Sequence, residues 1–237
     1  MFNIERQEEI INILIQRKSV TVHTLAELMH ISESTVRRDL CELEKEGRIR
    51  RTFGGAVLEE TLTNEVPLLL RKSRNNESKK IIARKAKELV SNGKVIFLDA
   101  SSTVSYLVPH LAEFSGLTVI TNSPNTSIEL GELGIRNYCT GGLLLDASLA
   151  YVGGEAEDFL RRFNADIMFF SSRGISHDGV VTDSSAQESQ IRKIMMQNSK
   201  RKYYLYDSSK LGQKFMYNLC DVRELDGAIT EGEERFN

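Results

Sequence analysis

Residues 31–57, ISESTVRRDLCELEKEGRIRRTFGGAV, decide the N-terminal fold. Ser32 is an N-cap, because a serine hydroxyl there accepts hydrogen bonds from backbone N–H groups two or three residues on. The helix after it runs through STVRRDLCELEKEG, with Gly47 as its natural stop. Val36, Leu40 and Leu43 recur at i, i+4 and i+7 and should face a core, which turns Ser34, Thr35, Arg37 and Arg38 outward near the helix start. Short polar and arginine side chains at that end are what reading a DNA major groove requires. The signs of Asp39, Glu42, Glu44 and Glu46 offset the arginines, so the helix taken alone reads equally well as a solvated face. The segment after Gly47 breaks the tie. Arg48, Arg50 and Arg51 alternate with Ile49, and the chain then turns on Gly54-Gly55, the pattern of a basic two-stranded wing able to neutralise backbone phosphates.

Upstream, Ile10, Ile11, Ile13 and Leu14 form a helical stripe between Glu5 and Arg17. Ser19-Val20-Thr21 breaks it. Thr21 is placed to cap a short second helix through Leu25, Ala26, Leu28 and Met29, with a turn at His30-Ile31. The arrangement is helix, turn, helix, basic wing.

These residues resemble the DeoR family of bacterial transcriptional regulators, in the run Ser32-Glu33-Ser34-Thr35-Val36-Arg37-Arg38-Asp39-Leu40 and in Arg51-Thr52-Phe53-Gly54-Gly55-Ala56. The resemblance implies a winged helix-turn-helix and a double-stranded DNA operator as partner. It places Ser32, Ser34, Thr35, Arg37 and Arg38 on the recognition helix and Arg48, Arg50 and Arg51 on the wing. Asp39, repelled by phosphate, is expected to orient a neighbouring arginine instead.

Periodicity fades from Glu59 to Pro67, which sets the expected organisation: residues 1–58 for the DNA-binding domain, 59–77 for a linker and 78–237 for a larger domain. Past the junction Arg71, Lys72, Arg74, Lys79, Lys80, Arg84, Lys85 and Lys87 face only Glu77 and Glu88. The first reading of such a run is a solvated helix face, and the second is added attraction to DNA.

In the larger part, the apolar runs Val95–Leu98, Leu117–Ile120, Ile167–Phe170 and Tyr203–Tyr206 alternate with amphipathic stretches. This is the pattern of a parallel sheet buried on both faces, an α/β, Rossmann-like architecture that binds ligands at the carboxyl ends of its strands. Those ends are polar. Asp99-Ala100-Ser101-Ser102-Thr103 ends the first run just before a helix, so Ser101, Ser102 and Thr103 either cradle a phosphate or cap the helix. Thr121-Asn122-Ser123, Ser171-Ser172-Arg173-Gly174 and Asp207-Ser208-Ser209-Lys210 end later runs.

This region also resembles the DeoR effector domain, whose fold is shared with ribose-5-phosphate isomerase. By that resemblance Ser101, Ser102 and Thr103 hold phosphate, Asn122 and Glu188 contact or frame sugar hydroxyls, and Lys210 supplies a cation for a phosphorylated sugar or polyol, with Asp99 counted among the effector-binding residues. Arg173 stands where family members commonly carry an acidic residue, and reads either as a receptor for a second anionic group or as part of an internal salt bridge. Relatives usually continue through another helix and strand beyond Gly227–Thr230, so the sheet is trimmed at one edge or the sequence is short.

A net charge of −2 excludes a surface that is basic all over, but not a local basic face. Cys41, Cys139 and Cys220 are odd in number and far apart, which argues against a disulfide framework, and they form no metal-ligand spacing with the four histidines. No metal and no cofactor are expected. Without an apolar run of membrane-spanning length or a signal peptide, the expectation is a cytoplasmic protein with no membrane partner, working as a homo-oligomer of at least two chains. The expected activity is regulatory, a repressor of a sugar operon released by its effector. The competing class is a sugar-phosphate isomerase carrying a DNA-binding domain, with Glu188 as its base; it lacks the isomerase-type D-G-A-D run, and no enzyme activity is expected.

Overall fold

A computed structural model describes residues 3–17, 19–45, 49–58, 68, 71 and 74–233 of the chain. It divides into two compact units, Met1–Val66 and Pro67–Asn237. Gly47 and Arg48, expected as a helix stop and a wing cation, lie outside the described residues, as do residues 59–67 of the expected linker.

In the first unit, α1 (Asn3–Arg17), β1 (Ser19–Thr21), α2 (Val22–Met29) and α3 (Glu33–Lys45) precede a hairpin of β2 (Ile49–Thr52) and β3 (Gly55–Leu58). The three strands form an antiparallel sheet in the order β1-β3-β2. Ile10, Ile11 and Leu14 of α1, Leu25 of α2, Val36, Leu40 and Leu43 of α3, and Ile49 are all buried. Each such side chain contributes roughly 1.5–3 kcal/mol relative to exposure, so this core carries the unit. Thr21 caps α2, its hydroxyl accepting from the Thr24 N–H at 3.1 Å. The hairpin turns through Phe53 and Gly54, the latter at φ 97°, which glycine adopts without strain. Gly55 is glycine for another reason: a Cβ there would run into the Val20 carbonyl oxygen of β1.

The second unit is built on a six-stranded sheet with the order β14-β12-β9-β4-β5-β6. Its strands are β4 (Val95–Leu98), β5 (Thr118–Thr121), β6 (Arg136–Cys139), β9 (Ala165–Phe170), β12 (Ser199–Leu205) and β14 (Gly227–Ile229). Every pairing in it is parallel. Side chains alternate between two cores. Phe97, Ile120, Met168, Phe170 and Tyr204 pack on one face with α6 (Gly154–Leu160) and α7 (Ala186–Gln197). Ile96, Leu98, Val119, Phe169 and Leu205 pack on the other with α4 (Asn76–Lys87) and a 3-10 helix, Val104–Glu113. Between β5 and β6 lies α5 (Pro124–Glu132). The expected helix after Asp99–Thr103 is therefore a 3-10 segment, and it carries Pro109, which has no N–H to give.

Two smaller pieces decorate the sheet. One is a hairpin of β7 (Leu143–Leu145) and β8 (Ala150–Val152). The other is an antiparallel sheet of β10 (Gly174–Ile175), β11 (Val180–Asp183) and β13 (Tyr217–Asp221). The chain winds from β4 outward to β6, then returns to the opposite side of β4 with β9. The strand order thus reverses between β4 and β9, the point where open parallel sheets hold their ligands.

Candidate functional site

The first unit presents an exposed, polar end of α3. Ser32 caps that helix, its Oγ accepting from the Thr35 N–H at 3.3 Å and lying 2.9 Å from both the Ser34 and Thr35 hydroxyl oxygens. Arg37 and Arg38 are exposed one turn on, and Arg37 pairs with Glu33 at 3.1 Å. On β2 the pattern is Ile49 buried, then Arg50, Arg51 and Thr52 exposed. Arg51 is tied back to α3: its N–H donates to Glu44 Oε1 at 3.0 Å and its Nη1 to Cys41 Sγ at 2.8 Å. Phe53 at the wing tip is fully exposed.

Asp39 is oriented differently from expectation. It is wholly buried, and its partner is not an arginine of its own helix but Arg6 of α1, whose Nε and Nη2 donate to the two carboxylate oxygens at 2.5 and 2.9 Å. Beside this pair, Gln7 donates to Glu42 at 2.6 Å. The fork fixes the roll of α3 against α1, and with it the direction in which Arg37 and Arg38 point.

In the second unit the strand registers Leu98↔Thr121, Thr121↔Cys139 and Leu98↔Phe169 bring Asp99, Asn122, Thr140 and Ser171 to one edge of the sheet. Asp99 is buried at the reversal point; one carboxylate oxygen accepts from the Ser101 N–H and the other from the Ser171 N–H, each at 3.2 Å. Arg192 of α7 holds this carboxylate, with Nε to Asp99 at 2.7 Å, Nη1 to Asp183 at 2.8 Å, and Nη2 3.5 Å from Glu188. Burial alone would lower the guanidinium pKa, but Asp183, Asp99 and Glu188 outweigh it and hold the group charged.

The 101–103 loop is closed and polar. Ser101 Oγ accepts from the Val104 N–H at 3.3 Å, so the capping role belongs to Ser101. Lys210 Nζ lies 2.6 Å from Ser171 Oγ and 3.3 Å from Thr103 Oγ1. Burial pushes the Lys210 ammonium down to about 8, with Arg71 adding to the fall while Asp207, Asp99 and Asp183 oppose it. The structure thus brings Asp99, Ser101, Ser102, Thr103 and Lys210 together, with Glu188 joined through Arg192. Asn122 stands at the next strand end, its amide donating to the Tyr151 carbonyl at 3.0 Å. Its Oδ1 is buried without a hydrogen-bond partner among the described residues, as are Thr140 Oγ1 and Ser184 Oγ. Arg173 is half-buried after β9, next to Ser172, whose hydroxyl lies 2.8 Å from the Tyr204 hydroxyl.

Several residues of this site went unseen in the sequence. Arg192 did, although Glu188 and Arg192 are one helical turn apart. So did Lys79, read as part of a solvated face. That reading describes Lys80 and Lys87, paired with Glu77 and Glu113 at 2.7 and 2.6 Å. Lys79 instead shares the buried stripe of α4 with Ile82, Ala83 and Ala86, a spacing that would have revealed it. It is 3% exposed, its Nζ donates to the Arg71 carbonyl, and it stands 5.9 Å from the Tyr106 ring centroid. Burial first, then Lys210, Arg71 and Arg74, bring its pKa down to about 7 against the pull of Asp207.

Residues 6–61 match the DeoR-like helix-turn-helix domain family and residues 74–232 the DeoR C terminal sensor domain family. The chain is 34% identical to the Lactose phosphotransferase system repressor of Staphylococcus epidermidis, over 99% of this chain and 94% of that protein. It is 35% identical to the HTH-type transcriptional regulator GolR of Listeria innocua, over 98% of this chain and 92% of that protein. Among solved structures it is similar in fold to eIF2B delta from Chaetomium thermophilum, with a TM-score of 0.50 at 18% identity, covering 70% of this chain and 59% of that one.

Proposed function

Because the chain belongs to the DeoR family of transcriptional regulators, we propose that it represses a sugar uptake or catabolism operon and releases its operator when the second unit binds a phosphorylated sugar or polyol. On the DNA side, Ser34, Thr35, Arg37 and Arg38 enter the major groove, while Arg50 and Arg51 neutralise backbone phosphates alongside it. On the effector side, the observation that carries the reading is the meeting of Lys210, the 101–103 loop and Asp99 at the point where the strand order reverses. There the ammonium and the loop's hydroxyl and N–H groups receive phosphate. Asn122 Oδ1, Thr140 Oγ1 and Ser184 Oγ, buried and without hydrogen bonds among the described residues, are acceptors and donors suited to sugar hydroxyls.

The pocket is for binding rather than turnover. Isomerisation needs a carboxylate free to take a proton. Glu188, the candidate base, faces the Arg192 guanidinium instead. Repression is by linkage: effector and DNA favour different arrangements of a homo-oligomer, so each weakens the other by the same factor. The chain works in the cytoplasm, where operator and phosphorylated sugars meet; none of its described helices is long and apolar enough to cross a membrane.

The test is thermal unfolding of the full chain against hexose 6-phosphates, pentose 5-phosphates, glycerol 3-phosphate and hexose 1,6-bisphosphates, each beside its unphosphorylated form. A true effector at a hundred times its Kd stabilises by about 2.7 kcal/mol. If no phosphorylated compound raises the melting temperature, the sensor reading fails.

A further inference from the structure

The wing ends in an aromatic ring that nothing covers. Phe53 makes the turn between β2 and β3 together with Gly54, and it is 113% exposed, as open to water as in an extended peptide. The turn does not call for it. Gly54 supplies the positive φ, and a short polar residue or proline suits the position before it. Nor is the tip loosely held. The Gly54 carbonyl accepts the Val22 N–H at 2.8 Å, and Gly55 lies so close to Val20 that a Cβ there would strike its carbonyl oxygen. A turn pinned to β1 and to the start of α2 thus holds the ring out from the unit. β2 itself runs beside α3, where the Arg51 N–H donates to Glu44. Phe53 stands two residues past that anchor, about 7 Å farther along an extended chain.

We propose that Phe53 is a DNA wedge: with α3 in the major groove, the ring enters the adjoining minor groove, slips between two base pairs and kinks the duplex toward α3. The proposal rests on the first unit binding an operator, and it adds a residue outside the recognition helix that selects the site by how easily the DNA deforms. An exposed ring gains by leaving water, and the residues around it decide what it meets. Arg51 and Thr52, exposed on β2 just before the tip, make the approach cationic and polar, which favours a polyanion over an apolar protein face. The reach fits too. β2 follows the sugar-phosphate strand beside the major groove, and about 7 Å more carries the tip past that strand to a minor groove only about 6 Å wide. Apolar side chains that wedge there bend DNA toward the major groove, so the bend closes the duplex around α3 and offsets the lost base stacking. The pinned turn contributes because a ring already held in place loses less freedom on insertion. Unstacking is easiest at pyrimidine–purine steps, so the ring enters a TA or CA step at a fixed offset from the bases that α3 reads.

The experiment uses the full chain on the duplex it selects from random-sequence DNA, labelled at both ends for energy transfer and carrying 2-aminopurine in place of each adenine in turn. With the unaltered chain, binding should raise the aminopurine signal at one step outside the bases read by α3, and energy transfer should report a kink of roughly 20–90°. Phe53→Ser should lose about tenfold in affinity, together with the kink and the preference for that step, and Phe53→Leu, still an apolar wedge, should recover most of each. No aminopurine change at any step with the unaltered chain, or unchanged affinity and bending in Phe53→Ser, overturns the proposal. So does a change of oligomeric state in Phe53→Ser by sedimentation, which would make the tip a contact between copies of the chain. Should Phe53→Ser not fold, the aminopurine signals of the unaltered chain and of Phe53→Leu decide the same question. If the unaltered chain selects a duplex that Phe53→Ser binds and bends equally, the operator reading stands and only this inference falls; if it selects none, both fall.

Discussion

Replacing Arg192 by methionine keeps much of the stem volume and removes the charge on which the second unit's buried acids converge. Three carboxylates face that guanidinium, Asp99 at 2.7 Å, Asp183 at 2.8 Å and Glu188 at 3.5 Å, and none of the four side chains is more than 5% exposed. Removing one partner from a buried ion pair costs about 3–5 kcal/mol, because a charge is left without compensation. At about 2–4 °C per kcal/mol for a unit of this size, the melting temperature should fall by roughly 6–20 °C. Urea unfolding of Arg192→Met followed by circular dichroism reads the loss, and Arg192→Lys, with its charge but not its fork, should fall between. A loss below about 1 kcal/mol would mean that Arg192 does not neutralise these acids.

Three further outcomes are expected. Asp39→Ala removes the acceptor of a two-pronged arginine, and at about 1.5–3 kcal/mol for a charged hydrogen-bonded pair it should lower the first unit's unfolding midpoint; an unchanged midpoint would contradict the role given to Arg6. Arg38→Ala should weaken operator binding by about 1–3 kcal/mol in fluorescence anisotropy if the side chain reads a base edge, whereas Arg50→Ala should reduce the salt dependence by about one counterion. Affinity for a sugar phosphate should decline between pH 7 and 9, because Lys210, at about 8 in the free chain, must be protonated to hold an anion, while a phosphate monoester, with its second pKa at about 6, is already largely dianionic. Asp207, Asp99, Asp183 and Arg71 act on this ammonium group and set where the decline falls. Calorimetry at several pH values reads it, and a flat profile would show that Lys210 does not receive the phosphate.

The helix-turn-helix was legible because its signals are local: a cap at Ser32, a stripe of Val36, Leu40 and Leu43, and the Gly54-Gly55 pair lie within one short run, although the turn itself falls on Phe53-Gly54 and Gly55 opens β3. The central strands were legible for a similar reason, since burial on both faces leaves continuous apolar runs such as Ile167–Phe170. The outer strands β6 and β14 escaped notice: β6 alternates between exposed and half-buried positions and β14 has only three residues. The site was half visible. Loops at strand ends announce themselves, but Arg192 meets Asp99 across 93 residues and Arg6 meets Asp39 across 33, and no spacing rule links such pairs. Lys79 was hidden by its neighbours, because a basic run suggests a solvated face unless each lysine is placed on the helix separately.

The proposed regulator couples DNA release to a phosphorylated sugar within one chain. Fluorescence anisotropy reads that coupling at both ends, using the full chain on an operator duplex selected from random-sequence DNA, at fixed salt, titrated with each sugar phosphate and its unphosphorylated counterpart. At least one phosphorylated compound should release the DNA and its dephosphorylated form should fail to, while Lys210→Met should bind DNA normally yet ignore the compound. Release by the unphosphorylated sugar alone, or DNA binding indifferent to every compound, would be incompatible with such coupling.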